Sequence, residues 1–453
     1  MGVSLPDGWF ELTRGSMPEA RCSAIRDAIT QGEPIRALRL HKLADIGDIA
    51  PLPPVPWAVG GYLLPALPEI HNLPFGKHPL HAAGAYYLQE PSAMAPVAAL
   101  DVQAGQRVLD LCAAPGGKSG QIAAALVGMG VLVANEPSLE RARELRGNLA
   151  RLGVTNAIIT QEPPGRLVER FPEWFDRVLV DAPCSGEGMF RRSAAARRDW
   201  SVRAVKGCAV RQLAILEAAQ SMLRPDGVMV YSTCAFNQIE NDSVVQLFLN
   251  GHPEFTIEDF ELPGLPSSEE GMLRITPDSG LGEGQFMARL RKTGTRKGIR
   301  PRLFDRQQYV LASERSAFEM FREGVVPGFG LIGQMFRLGG RVAMLPKDCP
   351  ELERWVGLRV LAAGIDLGAA RPHGWEPSYA LGMAVRAEQA SVAVALGESA
   401  AIAWVDGHDA PLAGSTAQAS GWGLAVYHNL PLGFGKINDG RLKNKRVAVR
   451  GNH

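Results

Sequence analysis

The chain has 453 residues, of which 46% are hydrophobic and 21% charged, and its net charge is +1. Length allows roughly two to four domains, and the near-zero charge excludes any global electrostatic argument for a nucleic-acid partner, leaving that case to local clusters. Six cysteines are scattered with no C-x-x-C pair, which excludes the usual structural zinc patterns and a disulfide framework, so no metal is expected.

The opening residues, MGVSLPDGWF, have no basic stretch leading into an apolar core, and Pro6 stands where a myristoylation motif needs Ser or Thr. Residues 1–80 are rich in Pro and Arg, and PLPPVPW at 51–57 breaks any long element. The run QIAAALVGMGVLVAN at 121–135 is shorter than the ~20 apolar residues that span a bilayer. A cytoplasmic protein without a membrane segment is expected.

From about residue 100 the pattern alternates. QRVLDL reads as a strand, GGKSGQIAAALVG as a helix and GVLVANE as a strand. SLERARELRGNLARLG follows as a helix with Leu145, Leu149 and Leu152 on one face and Gly153 as its stop. NAIIT, RVLVD, a helix around VRQLAILEAAQSML, and GVMVYST come next, and GEGQFMARLRK closes the region as a further strand. Short apolar strands separated by helices predict an α/β fold with a parallel, doubly wound sheet. The stretch RLRKTGTRKGIRPR, 289–302, has seven basic residues and no acid, as a linker would. The remainder, about 303–453, is Gly-rich with β-like segments such as QMFRLGGRVAMLP and GWGLAVYHNLPLGFGK, and predicts one or two small β-containing modules.

The turn in VLDLCAAPGGKSG joins a strand to a helix, where doubly wound sheets bind ligands. It is neither a nucleoside-triphosphate P-loop nor a strict G-x-G-x-x-G. Ala113, Ala114, Gly116 and Gly117 would let backbone approach a ligand, and Glu136 ends the next strand 19 positions after Gly117. An acid so placed can hold a ribose diol, which points to a nucleoside ligand rather than a bare tight turn.

Two apolar strands each run into a cysteine: RVLVDAPCSGEG, with Asp181 and Cys184, and GVMVYSTCAF, with Cys234. If the strands are parallel, all three side chains open onto one crevice beside the nucleoside ligand. A single cysteine there would usually be core filling. Two cysteines with an acid point to thiolate chemistry.

The segments YYLQEPSAM, LDLCAAPGGKS, LVDAPCSGEGMFRR and YSTCAFNQIEND together resemble the Sun/Nop-type RNA cytosine-5 methyltransferases, and the tail PLGFGKINDGRLKNKRV narrows the resemblance to the bacterial RsmF type. The likeness implies a Rossmann-like class I methyltransferase core, an N-terminal α/β extension and small C-terminal β-containing, PUA-like RNA-binding domains. The implied division is an RNA-binding extension at 1–80 and a catalytic domain at 81–293. A linker with a first C-terminal module at 294–390 and a PUA-like module at 391–453 complete it.

The resemblance also implies S-adenosyl-L-methionine as cofactor. It would be bound by Cys112, Ala113, Ala114, Pro115, Gly116, Gly117 and Lys118, by Glu136, and by Asp181. Pro163 stands where relatives carry an Asp near the adenine, so Gln161 or Glu162 is expected to substitute. The implied catalytic group is Cys234 as nucleophile, Cys184 as helper of product release, Asp181 holding the base and Lys118 supporting the polar cluster.

The implied partner is 16S rRNA or the 30S subunit, methylated by a monomer. Candidate RNA contacts are Arg191, Arg192, Arg197 and Arg198, the basic run 289–302, and a tail with Lys436, Arg441, Lys443, Lys445, Arg446 and Arg450 against one acid, Asp439. The alternatives are a transfer-RNA cytosine-5 methyltransferase, a ribosome-assembly factor without activity, and a metabolite methyltransferase.

Overall fold

Five apolar runs form the parallel strands at the centre of the molecule: β1 (Arg107–Asp110), β2 (Val131–Asn135), β3 (Ala157–Thr160), β4 (Phe175–Asp181) and β5 (Leu223–Thr233). The computed structural model describes residues 4–41, 52–65, 69–70, 73–295, 298–299, 301, 310–330, 333–346, 354–355, 357–412 and 418–445. Cys349 and the candidate contacts Arg296, Lys297, Arg300, Arg302, Arg446 and Arg450 lie outside the described residues.

Edge strands β6 (Phe255–Ile257), β7 (Met272–Ile275), β8 (Gln285–Lys292) and β9 (Val360–Ala363) enlarge this sheet to nine strands, in the order β6-β8-β5-β4-β1-β2-β3-β9 with β7 also on β8. β8 is the strand expected from GEGQFMARLRK, but it pairs antiparallel with β5. Both faces are covered. Leu109, Val133, Val178 and Tyr231 pack on one side, and Val108, Leu132, Leu179 and Val230 on the other. This double burial is why the strands read as continuous apolar runs.

The covering helices are α1 (Gly117–Ala125), α2 (Leu139–Leu152), α3 (Val202–Met222) and α4 (Asp242–Gly251). Leu145, Leu149 and Leu152 are buried as expected, and Gly153 ends α2 at φ 72°, a left-handed conformation that favours glycine. α3 begins upstream of its apolar stretch because the Ser201 hydroxyl caps it, accepting from the Ala204 N–H.

Two N-terminal helices, Trp9–Arg14 and Glu19–Gln31, precede an antiparallel sheet of Ala37–Leu40, Gly61–Leu63 and Tyr86–Leu88. The last of these strands lies beyond residue 80, so this sheet crosses the expected 80/81 boundary. Trp9, Ile25 and Ile29 pack with Phe190, Trp200 and Phe236, which seats the N-terminal helices on the loops that follow Cys184 and Cys234.

Past the basic run, an antiparallel sheet contains Gly333–Leu338, Arg341–Pro346, Ile365–Arg371 and Gly374–Pro377. Its first hairpin turns on Gly339 and Gly340, both at positive φ. A second sheet holds the hairpin Gly421–Tyr427 and Leu430–Asn438, with Arg441–Asn444 beside it. Its Val394 and Leu432, with Trp404 of the helix Glu398–Val405, share a core with Leu38, Phe75 and Tyr86.

β9 was not expected. It belongs to the stretch between the two C-terminal hairpins, yet it adds antiparallel to β3 and covers an edge of the nine-stranded sheet. Exposed edge strands are a liability, and an intramolecular strand removes one. Among the described residues no helix is long and apolar enough to cross a membrane, and no group of His, Cys, Asp and Glu could hold a metal ion.

Candidate active site

β4 and β5 are parallel neighbours in register, with Ser232 opposite Asp181. Both therefore end at the same level, and the chain continues from one to Cys184 and from the other to Cys234. The two sulfurs lie 3.0 Å apart, within hydrogen-bond reach. The hydrogen bond to Cys234, then burial, push the Cys184 thiol well above its ordinary value.

Asp181 lies at the end of β4 with three partners. Lys118 Nζ is 2.8 Å from Oδ2, while the Ser232 hydroxyl and the Gln285 amide donate to Oδ1 at 2.7 and 3.1 Å. Burial works against the Lys118 ammonium, but the charge and hydrogen bond of Asp181, with further attraction from Asp110 and Cys234, leave its pKa above the usual lysine value. Lys118 is therefore charged at neutral pH.

The glycine turn is held from behind. Arg141 and Asn148 of α2 donate to the carbonyls of Ala114 and Pro115, and Ala113 N–H donates to Asn135. Gly116 caps α1 at φ 114° without a side chain, so the first-turn N–H groups have no side-chain acceptor there. A Cβ on Gly117 would lie 3.1 Å from the Tyr87 ring, so the close fit of this turn depends on glycine. Cys112 is no thiolate, because burial, followed by Asp110, Asp181 and Glu136, pushes its thiol far up.

Glu136 is almost fully buried at the end of β2. One oxygen accepts from Ser138 N–H at 2.9 Å and the other faces Arg141 at 3.1 Å. This donor set suits a nucleoside carrying an anionic group: a carboxylate for hydroxyls, small residues for close approach, and a helix N-terminus for negative charge.

Cys112 to Lys118, Glu136, Asp181, Cys184 and Cys234 thus meet at one end of the sheet. Gln161 and Glu162 sit at the rim but are occupied. Gln161 donates its amide to Pro137 O and its backbone N–H to Arg359 O, and Glu162 accepts from Arg359 N–H at 2.7 Å. This rim is therefore shaped by Arg359, just before β9, as well as by the end of β3.

Several participants carry no sequence signal of their own. Buried Asn135 bonds to Leu111, Thr160 and Glu162 and so ties the ends of β1, β2 and β3 together. Asp110, fully buried, has its carboxyl pushed up to about 7, chiefly by burial. Glu187 and Glu240, both buried, hold the loops after the cysteines.

The arginines after Cys184 behave differently from a uniformly basic surface. Arg191 is buried and paired with Glu283 at 2.7 Å, and Arg197 donates to Phe190 O. Arg192 and Arg198 remain exposed. On the C-terminal hairpin Lys436, Arg441, Lys443 and Lys445 are exposed while Ile437 and Leu442 are buried, and Lys436 stands directly opposite Lys443.

Comparison with known proteins gives the family. Residues 97–291 match the family model of the 16S rRNA methyltransferase RsmB/F, residues 321–385 that of the RsmF rRNA methyltransferase first C-terminal domain, and residues 391–446 that of the methyltransferase RsmF PUA domain. The chain is 32% identical to the ribosomal RNA small subunit methyltransferase F of Pectobacterium atrosepticum, covering 98% of this chain and 95% of the relative. It is also 32% identical to the protein of the same name from Escherichia coli O139:H28, covering 99% and 97%. Among solved structures, a methyltransferase homolog protein from Pyrococcus horikoshii aligns with a TM-score of 0.53 and 31% identity over 62% of this chain and 93% of that one. NSun6 from the same organism, solved with SFG, shares the fold at a TM-score of 0.55 and 20% identity over 64% of this chain and 99% of that one.

Proposed function

The chain belongs to the RsmF type of the 16S rRNA methyltransferase RsmB/F family, and we propose that it methylates carbon 5 of cytosine in small-subunit ribosomal RNA through a covalent bond between Cys234 and carbon 6. The observation that carries this reading is the pair of thiols 3.0 Å apart beside the Lys118–Asp181 ion pair. S-adenosyl-L-methionine, held by Cys112 to Lys118, Glu136 and Asp181 with Gln161 at the rim, supplies an electrophilic methyl group.

Carbon 5 of cytosine is too weak a nucleophile to take a methyl unaided. Addition of the Cys234 thiolate to carbon 6 forms the C–S bond and moves the ring electrons toward carbon 5. Asp181 faces N3 and N4 of the base: the N4 amino group donates to its carboxylate, and a proton held between the carboxylate and N3 favours addition. After carbon 5 is alkylated, its proton must leave and the C–S bond must break, returning the electron pair to Cys234. Cys184 serves this release by relaying that proton: it takes the carbon-5 proton as its own thiol proton passes to solvent, while the C–H electrons restore the double bond between carbons 5 and 6. Lys118 holds Asp181 in place through their 2.8 Å ion pair.

The RNA path runs from the crevice over Arg192 and Arg198 to the exposed Lys436, Arg441, Lys443 and Lys445. Like charges placed opposite each other, as Lys436 and Lys443 are, cost stability in the free protein and are relieved by a phosphate. The working division is an RNA-binding extension at 1–80, whose sheet takes in Tyr86–Leu88 from beyond it, catalysis at 81–293, the linker and first C-terminal module at 294–390 and the PUA-like module at 391–453. The protein acts as a cytoplasmic monomer on naked 16S rRNA or the 30S subunit, on a base that must be unpaired or flipped out.

Transfer of labelled methyl to purified 30S subunits, free 16S RNA and transfer RNA tests this. Incorporation at cytosine carbon 5 in either ribosomal substrate is expected. Incorporation only into transfer RNA, or RNA binding without transfer, overturns it.

A further inference from the structure

The two cysteine loops are held together by their own acids, in a crossed arrangement. Glu187, three residues after Cys184, reaches into the other loop: it accepts from the N–H of Phe236, from the N–H of Asn237 at 3.2 Å and from the Asn237 side-chain amide at 3.2 Å. Glu240, six residues after Cys234, reaches back. It accepts from Ser185 N–H at 2.9 Å and from the Ser185 hydroxyl at 2.5 Å. Gly188 N–H adds a 2.7 Å bond to the carbonyl of Cys234 itself, and a Cβ on Gly188 would come within 3.0 Å of that oxygen.

Both acids are anchored from outside the loops. Trp200 Nε1 donates to Glu187 at 3.1 Å, and Gln212 on α3 donates to Glu240 at 2.9 Å and to the carbonyl of Pro183 at 3.0 Å. Neither acid is more than 1% exposed. Every neighbour of their side-chain oxygens named here is a donor, so the arrangement suits two carboxylates acting as acceptors. Neither acid bonds to Cys184 or Cys234, to Asp181 or to the glycine turn, so their placement serves the loops rather than the reacting atoms.

We propose that Glu187 and Glu240 are a pair of positioning residues, each fixing the loop of the opposite cysteine, and that together they set the sulfur–sulfur distance on which adduct formation and release depend. This rests on the reading of Cys184 and Cys234 as the catalytic pair, but the distance can be measured without any methylation. Diamide joins two adjacent thiols in a disulfide and itself takes up the two protons and two electrons, so its rate of bridging Cys184 to Cys234 reports their separation.

In the full-length protein, with intact folding checked by circular dichroism, Glu187→Ala and Glu240→Ala are expected to slow bridging by about tenfold or more and methyl transfer at saturating substrates by about 10²-fold, the loss that misplacement of order 1 Å produces. Donor affinity should stay unchanged, since the glycine turn and Glu136 are untouched. Ser185→Ala removes only one hydroxyl from the clasp and should slow both rates less, which gives a decision even if the glutamate variants do not fold. Bridging at the wild-type rate in folded variants, Ser185→Ala included, overturns the proposal. Methyl transfer that survives replacement of both cysteines overturns the catalytic reading instead.

Discussion

Lys118 and Asp181 stand 2.8 Å apart, although one opens the helix after β1 and the other closes β4. Parallel strands bring their C-terminal ends to one level, and the pair joins the glycine turn to the cysteine loops.

Asp181→Asn keeps the shape of the side chain but leaves Lys118 facing an amide. Methyl transfer measured at saturating donor is expected to fall by about 10²–10⁴-fold, the range for loss of a positioned polar group. A rate close to wild type would show that Asp181 does not touch the base.

Arg359, the residue before β9, meets the rim residues through its backbone: its N–H donates to Glu162 and its carbonyl accepts from Gln161 N–H. Arg359→Pro deletes the donor that buried Glu162 accepts from, which should cost about 1–3 kcal/mol of stability and weaken binding of the donor in calorimetry. Arg359→Ala keeps the N–H and is expected to change neither. Equal behaviour of the two variants would separate β9 from the cofactor site.

Asp110 gives stability a pH dependence of definite sign. Burial, with Asp181 adding to it and Ser119 and Lys118 opposing it, raises its carboxyl from 3.8 to about 7 in the folded state. The folded chain then binds a proton more tightly than the unfolded one, so this contribution is present below pH 4 and is lost as pH rises to about 7. Asp110→Asn should remove that loss, so that denaturant midpoints of variant and wild type converge at low pH and separate toward pH 7 in favour of the variant. A constant difference across the range would contradict it.

The exposed lysines of the C-terminal hairpin are expected to act through phosphate. Lys436→Ala or Lys443→Ala should reduce the slope of log affinity against log salt for a 16S RNA fragment by about 0.7–0.9 each. The methylation rate at saturating RNA should hold. An unchanged salt slope would remove the hairpin from the RNA path.

Much of this was legible in the sequence because it is periodic or local. The strand and helix alternation, the stop at Gly153, the two cysteines at strand ends and Glu136 after β2 all follow from spacing of a few residues. What was not legible depends on distance along the chain. VLAA at 360–363 is a strand only because the open edge of β3 accepts it. Glu187 and Glu240 sit in polar loop segments that look solvated until the opposite loop supplies their donors. Arg191 reads as part of a basic surface, yet Glu283, 92 positions away, takes it into the interior.

The most direct test of the roles of the two cysteines is denaturing electrophoresis after incubation of each alanine variant with methyl donor and small-subunit RNA. Cys184→Ala is expected to accumulate a protein–RNA adduct that survives denaturation, because the C–S bond forms and its release is impaired. Cys234→Ala should form no adduct and transfer no methyl. An adduct in Cys234→Ala, with none in Cys184→Ala, would contradict the assignment and reverse the two roles.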